Sequence, residues 1–159
     1  MTSPKLQHEL KKKRPFASQA EEALLSLVRT SDQVQLRHSR LFREHGLYPS
    51  QYNILRILRG EGQPLPILEI ASRTITVVPG ITGLIDRLER AGFVNRVRCQ
   101  EDRRVIYVAL TPKGEQVLEQ LQQPVEALNE KLVTKLSPSE VKELIRLLAK
   151  VREPLAARD

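Results

Sequence analysis

Apolar residues recur every three or four positions over most of the chain, a spacing typical of amphipathic helices. Over residues 18 to about 44, this spacing predicts one long helix that ends at Gly46. The apolar residues of that helix are Leu24, Leu27, Val28, Val34, Leu41 and Phe42. Three shorter helices are predicted to follow, each opened by a proline, because proline is tolerated in the first helical turn. These prolines are Pro49, Pro66 and Pro79.

The period of the apolar pattern changes to two after Gly92. Residues 93–98 and 104–110 are predicted to be strands joined by the polar turn 99–103, a hairpin with a charged tip. Thr111 followed by Pro112 indicates the start of a long helix, in which Pro124 is expected to produce a kink. Residues 137–140 form a capping box for a last helix. The predicted fold class is mainly α with a small β-hairpin (α+β).

The net charge of the chain indicates a polyanionic partner. The formal net charge of the 159 residues is +7, which favours nucleic acid over an anionic membrane surface, with a merely basic protein as the alternative. Residues 1–17 are expected to be a basic flexible arm that is either solvated or follows DNA phosphates. We expect no membrane helix and no secretory signal. With Cys99 as the one cysteine, the expected location is the cytoplasm, in association with the nucleoid.

The order of short helices followed by a basic hairpin is that of a winged helix-turn-helix. In such a unit, the helix starting near Val78 would lie in the major groove of DNA with its first residues towards the base edges. Its apolar face is expected to be core, which leaves the other face for DNA. The candidate DNA-binding residues of this segment are Val78, Pro79, Gly80, Thr82, Gly83 and Arg87.

The hairpin, called the wing below, contains arginines and no lysine. A guanidinium stays charged and donates several hydrogen bonds, which suits phosphates and narrow minor grooves. A solvated charged hairpin is the alternative interpretation. The candidate DNA-binding residues of the wing are Arg96, Arg98, Asp102, Arg103 and Arg104.

Over roughly residues 20–150 the sequence resembles the MarR family of regulators. The resemblance is strongest from Ile81 to Gly114, where ITGLIDRLERAGFVNR is followed by EDRRVIYVALTPKG, and GLYPSQYNILRIL also matches upstream. It implies a homodimer with a dimerisation helix at 18–46, a DNA-binding domain at 47–111 and C-terminal dimerisation helices at 112–159. It also implies that a salt bridge from Asp102 aims Arg104 into the minor groove.

Three residues depart from the family pattern. Tyr48 stands where Thr or Ser often caps a helix, so that cap must come from elsewhere. Gly80 and Gly83 stand where longer or polar residues are common, which reduces direct contact with the bases. We therefore expect the wings to contribute more of the specificity by reading DNA shape.

The resemblance further implies a pocket for a phenolic or aromatic acid between the dimer helices and each DNA-binding lobe. Its candidate lining residues, each with core packing as the alternative role, are His38, Phe42, Tyr48 and Tyr52. No cofactor is expected, and the three histidines and Cys99 form no metal-binding pattern. Redox sensing by Cys99 is disfavoured because the chain has no second cysteine to resolve an oxidised form.

The sequence contains no phosphate-binding loop, metalloprotease motif or nucleophile–base pair, so an enzyme is not expected. The favoured function is a sequence-specific transcription regulator. It would act, most simply as a repressor, as a homodimer on a pseudo-palindromic operator and be released by a small-molecule ligand. The alternative is an effector-independent architectural or weakly specific DNA-binding protein, which would bind with steep salt dependence and little sequence preference.

Overall fold

The computed structural model describes residues 4–156 and forms two compact units, one up to Leu121 and one from Gln122 onwards. The elements of the first unit are α1 (Pro4–Glu9), α2 (Gln19–Arg43), α3 (Pro49–Glu61), β1 (Leu65–Pro66), α4 (Ile67–Ser72), α5 (Ile81–Arg90), β2 (Val94–Arg98) and β3 (Ile106–Leu110). Helix α6 (Pro112–Leu132) begins in the first unit and ends in the second, which also contains α7 (Pro138–Ala156).

The three strands form one antiparallel sheet in the order β1-β3-β2. In the wing, Val94 pairs with Leu110 and Arg98 pairs with Ile106. The short strand β1 pairs Leu65 with Val108 on the other edge of β3. Its two residues are too few to produce an alternating pattern, so the sequence did not predict it.

The core of the first unit lies between α3, α4, α5 and the sheet. Because Ile85 and Leu88 are one helical turn apart in α5, they point into the same core. The largest fully buried side chains are Leu47, Ile54, Leu55, Ile70, Ile85, Leu88, Leu121, Val94 and Val108. This packing holds α5 and the wing in one unit.

Polar caps begin the long helices where the sequence predicted them. Ser18 Oγ accepts the backbone N–H of Glu21 at the start of α2 (3.1 Å). Thr111 Oγ1 accepts the N–H of Gly114 (3.1 Å) and donates to the carbonyl of Gly92 (2.6 Å), which ties the start of α6 to the turn between α5 and β2. Helix α6 continues through Pro124. These caps satisfy N–H groups that have no partner within the helix.

The start of the recognition helix differs from the prediction. Pro79 does not open α5; the helix begins at Ile81 because Gly80 adopts a left-handed conformation, with φ of 72°. A left-handed residue cannot belong to a right-handed helix, and glycine adopts it without the steric cost of a side chain. Residues 78–80 therefore form an irregular approach to the helix.

The N-terminal segment contains an element that the sequence did not predict. The predicted arm contains the short helix α1, with Leu6 buried, which was too short to be recognised from periodicity. Residues 1–3 of that arm, and 157–159 of the C-terminal segment, lie outside the described residues. None of the described helices combines the length and apolar character needed to cross a lipid bilayer.

Candidate nucleic-acid interface

Helix α5 exposes a face of mixed character. Ile85 and Leu88 are fully buried, whereas Thr82 and Arg87 are exposed. The hydroxyl and the guanidinium are thus accessible to a ligand. This division agrees with the face that the sequence analysis assigned to DNA.

The start of α5 is open at the level of the backbone. Pro79 and Gly80 are exposed, and Val78 is half-buried. A Cβ built on Gly80 or Gly83 would meet no atom within 4 Å. A large partner can therefore approach the first turn of the helix closely.

Arg96 is engaged by two carboxylates of the recognition helix. Its Nη2 lies 2.6 Å from Asp86 Oδ1, and its Nη1 is paired with Glu89 Oε2. The backbone N–H of Arg96 also donates to Glu89 Oε1 (3.1 Å). The hydrogen bond from Arg96 to the Asp86 carboxylate, and to a smaller extent the one to Glu89, raises the pKa of the Arg96 guanidinium. Arg96, predicted as a DNA contact, thus connects β2 to α5.

The other arginines of the wing carry no ion pair within the described part of the chain. Arg98, Arg103 and Arg104 are all exposed. The expected salt bridge from Asp102 to Arg104 is absent in residues 4–156. Asp102 Oδ1 instead accepts the backbone N–H of Arg104 at 2.9 Å. A short carboxylate in a turn reaches the amide two residues ahead, so Asp102 shapes the wing tip and leaves the guanidinium free.

A second ionic cluster fixes the first helix of the helix-turn-helix. Arg73, just after α4, lies 2.6 Å from Glu61 at the end of α3 and 2.8 Å from Glu69 in α4. The hydrogen bond from Arg73 lowers the pKa of Glu61. Sequence reasoning missed this cluster, although the Glu69–Arg73 spacing of four residues indicates an ion pair on a helix.

Three of the four predicted ligand residues form an aromatic cluster. Phe42 is buried and stacks on Tyr52 with ring centres 4.2 Å apart, and His38 lies 5.9 Å from Phe42. Nδ1 of His38 is 2.9 Å from the carbonyl of Val34. Burial raises the pKa of the Tyr52 hydroxyl, against the opposing effect of two nearby arginines.

Tyr48 does not belong to this cluster, because its side chain is 58% exposed. Its backbone N–H donates to Gln51 Oε1 (2.9 Å), so Gln51 satisfies the N–H of the residue before α3, while the Tyr48 side chain caps no N–H of the helix.

A cleft of about 330 Å³ opens elsewhere in the first unit. Its lining comes from the end of α3, the end of β3 and the start of α6, and includes none of the four predicted ligand residues. The Arg59–Glu115 ion pair (3.0 Å) lies in this lining.

Cys99 is half-buried at the base of the wing tip, and its Sγ lies 3.5 Å from the N–H of Asp102. No group of three or more His, Cys, Asp or Glu residues that could hold a metal ion occurs between residues 4 and 156.

Comparison with known proteins agrees with this geometry. The model of the MarR family matches residues 47–106, which include the helix-turn-helix and most of the wing. The HTH-type transcriptional regulator YkoM of Bacillus subtilis is 38% identical over 109 residues, which are 68% of this chain and 70% of YkoM.

Solved structures extend the likeness over more of the chain. A MarR transcription factor from Planctomyces limnophilus is 40% identical, with a TM-score of 0.66 over 85% of this chain and 98% of that one. Sco3205, a MarR family regulator from Streptomyces coelicolor solved in complex with DNA, is 25% identical. Its TM-score is 0.74 over 92% of this chain and 94% of its own. The chain therefore belongs to the MarR family of DNA-binding transcription regulators.

Proposed function

We propose that this regulator is a homodimeric repressor of a pseudo-palindromic operator and that a small aromatic ligand releases it. The observation that carries the proposal is the apolar surface that α2 and α7 leave uncovered in the single chain. In α2, Leu24 is 55% and Val28 is 64% exposed. Helix α7 buries no residue at all, and its Ile145 is 61% exposed.

Two amphipathic helices with exposed apolar faces favour a second copy of the chain as their partner. Burial of apolar surface contributes roughly 25 cal/mol per Å², so covering both helices would stabilise a dimer substantially. A two-fold axis would present two recognition helices to DNA. A pseudo-palindrome with half-sites roughly 34 Å apart would match them.

Each lobe would contact DNA in two ways. Helix α5 would enter the major groove by its open first turn, with Val78, Pro79, Gly80, Thr82, Gly83 and Arg87 nearest the bases. The free arginines Arg98, Arg103 and Arg104 would lie along phosphates and in the minor groove, where guanidinium groups respond to groove width. The structure supports a positioning role for Arg96 and Asp102, one through α5 and the other through the wing tip.

Repression is the simplest consequence of such binding. A dimer covering two half-sites excludes polymerase from an overlapping promoter by occupancy alone. Activation would require an additional favourable contact with the transcription machinery.

The aromatic cluster supports the ligand part of the proposal. His38 and Phe42 belong to α2 and Tyr52 to α3, which joins the dimerisation helix to the DNA-binding domain. A ligand that inserts between these rings would change how the two helices pack, and hence the distance between the recognition helices. If the ligand binds better to the state in which the two recognition helices are too far apart for the operator, ligand binding shifts the protein to that state and DNA is released. Unchanged DNA affinity in the presence of a ligand shown to bind at this cluster would refute the mechanism.

The experiment that tests the function is selection of bound sequences from random duplex DNA, at a stated salt concentration near physiological. Enrichment of a pseudo-palindrome is the expected result. Tight binding with no enriched sequence would instead support the architectural alternative. Measuring affinity against salt for the selected site and for a scrambled duplex separates phosphate contacts from sequence recognition.

A further inference from the structure

We propose that the protein reads thymine methyl groups in the major groove, through aliphatic contacts made by Ile75 and Val77 just before α5. The inference rests on the proposed function and names the chemistry by which that interface distinguishes bases. It concerns a segment that lies upstream of the residues assigned to DNA by the sequence analysis.

The first observation is the exposure of these two side chains. Ile75 is 78% exposed and Val77 is 95% exposed, in the segment between α4 and α5. Aliphatic groups this accessible gain free energy when a partner covers them. The segment leads into the first turn of the recognition helix, so a duplex bound there would cover it.

The second observation is the absence of long polar and charged side chains in this region. Residues 74–85 contain no arginine, lysine, histidine, asparagine, glutamine or carboxylate. Of the three threonines, Thr74 donates its hydroxyl to the carbonyl of Ala71 (2.8 Å). The bidentate hydrogen bonds that commonly identify guanine or adenine therefore cannot come from this segment.

The third observation is the open backbone at Gly80 and Gly83, where an added Cβ would meet nothing within 4 Å. Without side chains at these positions, the groove floor can come close to the chain. Short aliphatic side chains such as valine can then reach base edges that longer residues would otherwise hold away.

The chemistry of the major groove supplies the match. Thymine carries the C5 methyl group, the apolar feature that distinguishes an A·T pair there. The wing arginines can supply affinity for phosphates, but phosphates carry no base identity. Beside the hydroxyls of Thr76 and Thr82, aliphatic contact with thymine is thus the direct readout that the side chains of residues 74–83 can provide.

The test removes methyl groups from DNA and changes nothing else in the duplex composition. In the selected operator, each thymine is replaced in turn by deoxyuridine, and binding is measured by fluorescence anisotropy. At one or two positions per half-site we expect affinity to fall about fourfold, the equivalent of ~0.8 kcal/mol for one buried methyl group. An operator in which such a T·A pair is replaced by 5-methylcytosine·G should bind more tightly than one in which it is replaced by cytosine·G.

Coupling to the protein is tested with Val77→Ala and Ile75→Ala. In the variant that loses the contact, deoxyuridine should cost less than about 1.5-fold, because the methyl group no longer has its partner. Leu68→Ala is the matched control, since Leu68 is 83% exposed but lies on α4. It should retain the fourfold effect. The exposure of all three side chains means that none of these variants removes a core contact.

Two outcomes would overturn the inference while leaving the proposed function intact. One is a selected operator whose affinity is insensitive to deoxyuridine, which would point to a protein partner for Ile75 and Val77. The other is a deoxyuridine effect that is equal in all variants, which would mean that another residue contacts the methyl group or that it acts through DNA shape. Failure of the proposed function would be seen earlier, as no enriched sequence in the selection.

Discussion

The arginines of the wing differ in whether a carboxylate engages them. Arg96 is paired with Asp86 and Glu89, while Arg104 is exposed and unpaired within residues 4–156. Both terminal nitrogens of Arg96 are used by these carboxylates, so they are less available to a phosphate or a base. The same residue type therefore has two roles in one hairpin.

We predict that Arg104→Ala weakens operator binding by well over tenfold and leaves the dimer and its Tm unchanged. Because the homodimer carries Arg104 twice, loss of one phosphate contact per protomer should also reduce the magnitude of the slope of log K against log salt by about 1.8. Affinity measured from 50 to 300 mM salt, with Tm from calorimetry, tests both statements.

Arg96→Ala is the comparison variant. It leaves Asp86 and Glu89 without their cation, so its Tm should fall. Because the two carboxylates are partly exposed, we expect the free energy of unfolding to fall by about 1–2 kcal/mol. Unchanged DNA affinity in Arg104→Ala would remove this residue from the interface.

Gly114 is packed so closely that its position has no room for a side chain. A Cβ there would lie 2.3 Å from the carbonyl oxygen of Phe93 and 2.7 Å from Leu110 Cδ1. We predict that Gly114→Ala lowers the free energy of unfolding by about 1–3 kcal/mol, the usual cost of overpacking, since a backbone atom cannot move aside easily. Denaturant unfolding measures the change.

Gly83→Ala is the matched control for this prediction. No atom lies within 4 Å of its added Cβ, and alanine is favoured over glycine inside a helix by about 1 kcal/mol. Its stability should rise or stay the same. Equal destabilisation by both variants would contradict the packing argument.

At the scale of elements, hydrogen bonds at helix ends determine where the long helices start. The N–H of Ser137 donates to Glu140 Oε2 (2.8 Å), and Ser137 Oγ accepts the N–H of Glu140 (3.3 Å). The bonds that the backbone N–H of Ser137 and its hydroxyl (2.8 Å) donate to Glu140 Oε2 favour the ionised carboxylate, and they lower the pKa of Glu140 from its usual 4.5. The start of α7 is therefore sensitive to acid.

The predicted consequence concerns stability below pH 5. Since the folded pKa of Glu140 lies below the unfolded one, its contribution is present above about pH 4.5 and is lost as pH falls through the folded pKa. Glu140→Gln should lower Tm at pH 7, and its difference from the wild type should shrink as pH falls below 4.5. Thermal melts followed by circular dichroism from pH 3 to pH 7 measure this, and a difference independent of pH would contradict it.

At the scale of the whole molecule, the proposed dimer accounts for the apolar surface of α2 and α7. We predict that Ile145→Glu, at a side chain 61% exposed in the single chain, shifts the protein to a monomer and weakens operator binding. The reason is that a carboxylate buried in an interface without a partner costs several kcal/mol. Analytical ultracentrifugation gives the oligomeric state.

Lys150→Glu places the same acidic residue on α7 at an exposed polar position, on the side of the helix away from Ile145, and should leave the dimer intact. A dimer that survives Ile145→Glu would show that this face of α7 is not the interface. Monomers formed equally by both variants would indicate a general charge effect.

The sequence alone determined the order and type of most elements. Periods of 3.6 and 2 follow from the geometry of helices and strands, so the pattern revealed the long helices and the wing. Local signals placed the starts at Thr111 and Ser137, because a cap acts within three residues of itself, whereas apolar spacing placed the start near residue 18. The resemblance to the MarR family, which was drawn from the sequence alone, was confirmed by the comparison with known proteins.

Contacts distant in sequence were decided by the tertiary structure. The partners of Arg96 lie seven and ten residues away on another element, and Gly114 is required by a carbonyl more than twenty residues earlier. Periodicity marked an apolar face on α2 and on α7 without saying what covers it, and most of those surfaces are exposed in the single chain. A one-dimensional pattern records which residues avoid water, whereas only packing in space determines what covers them.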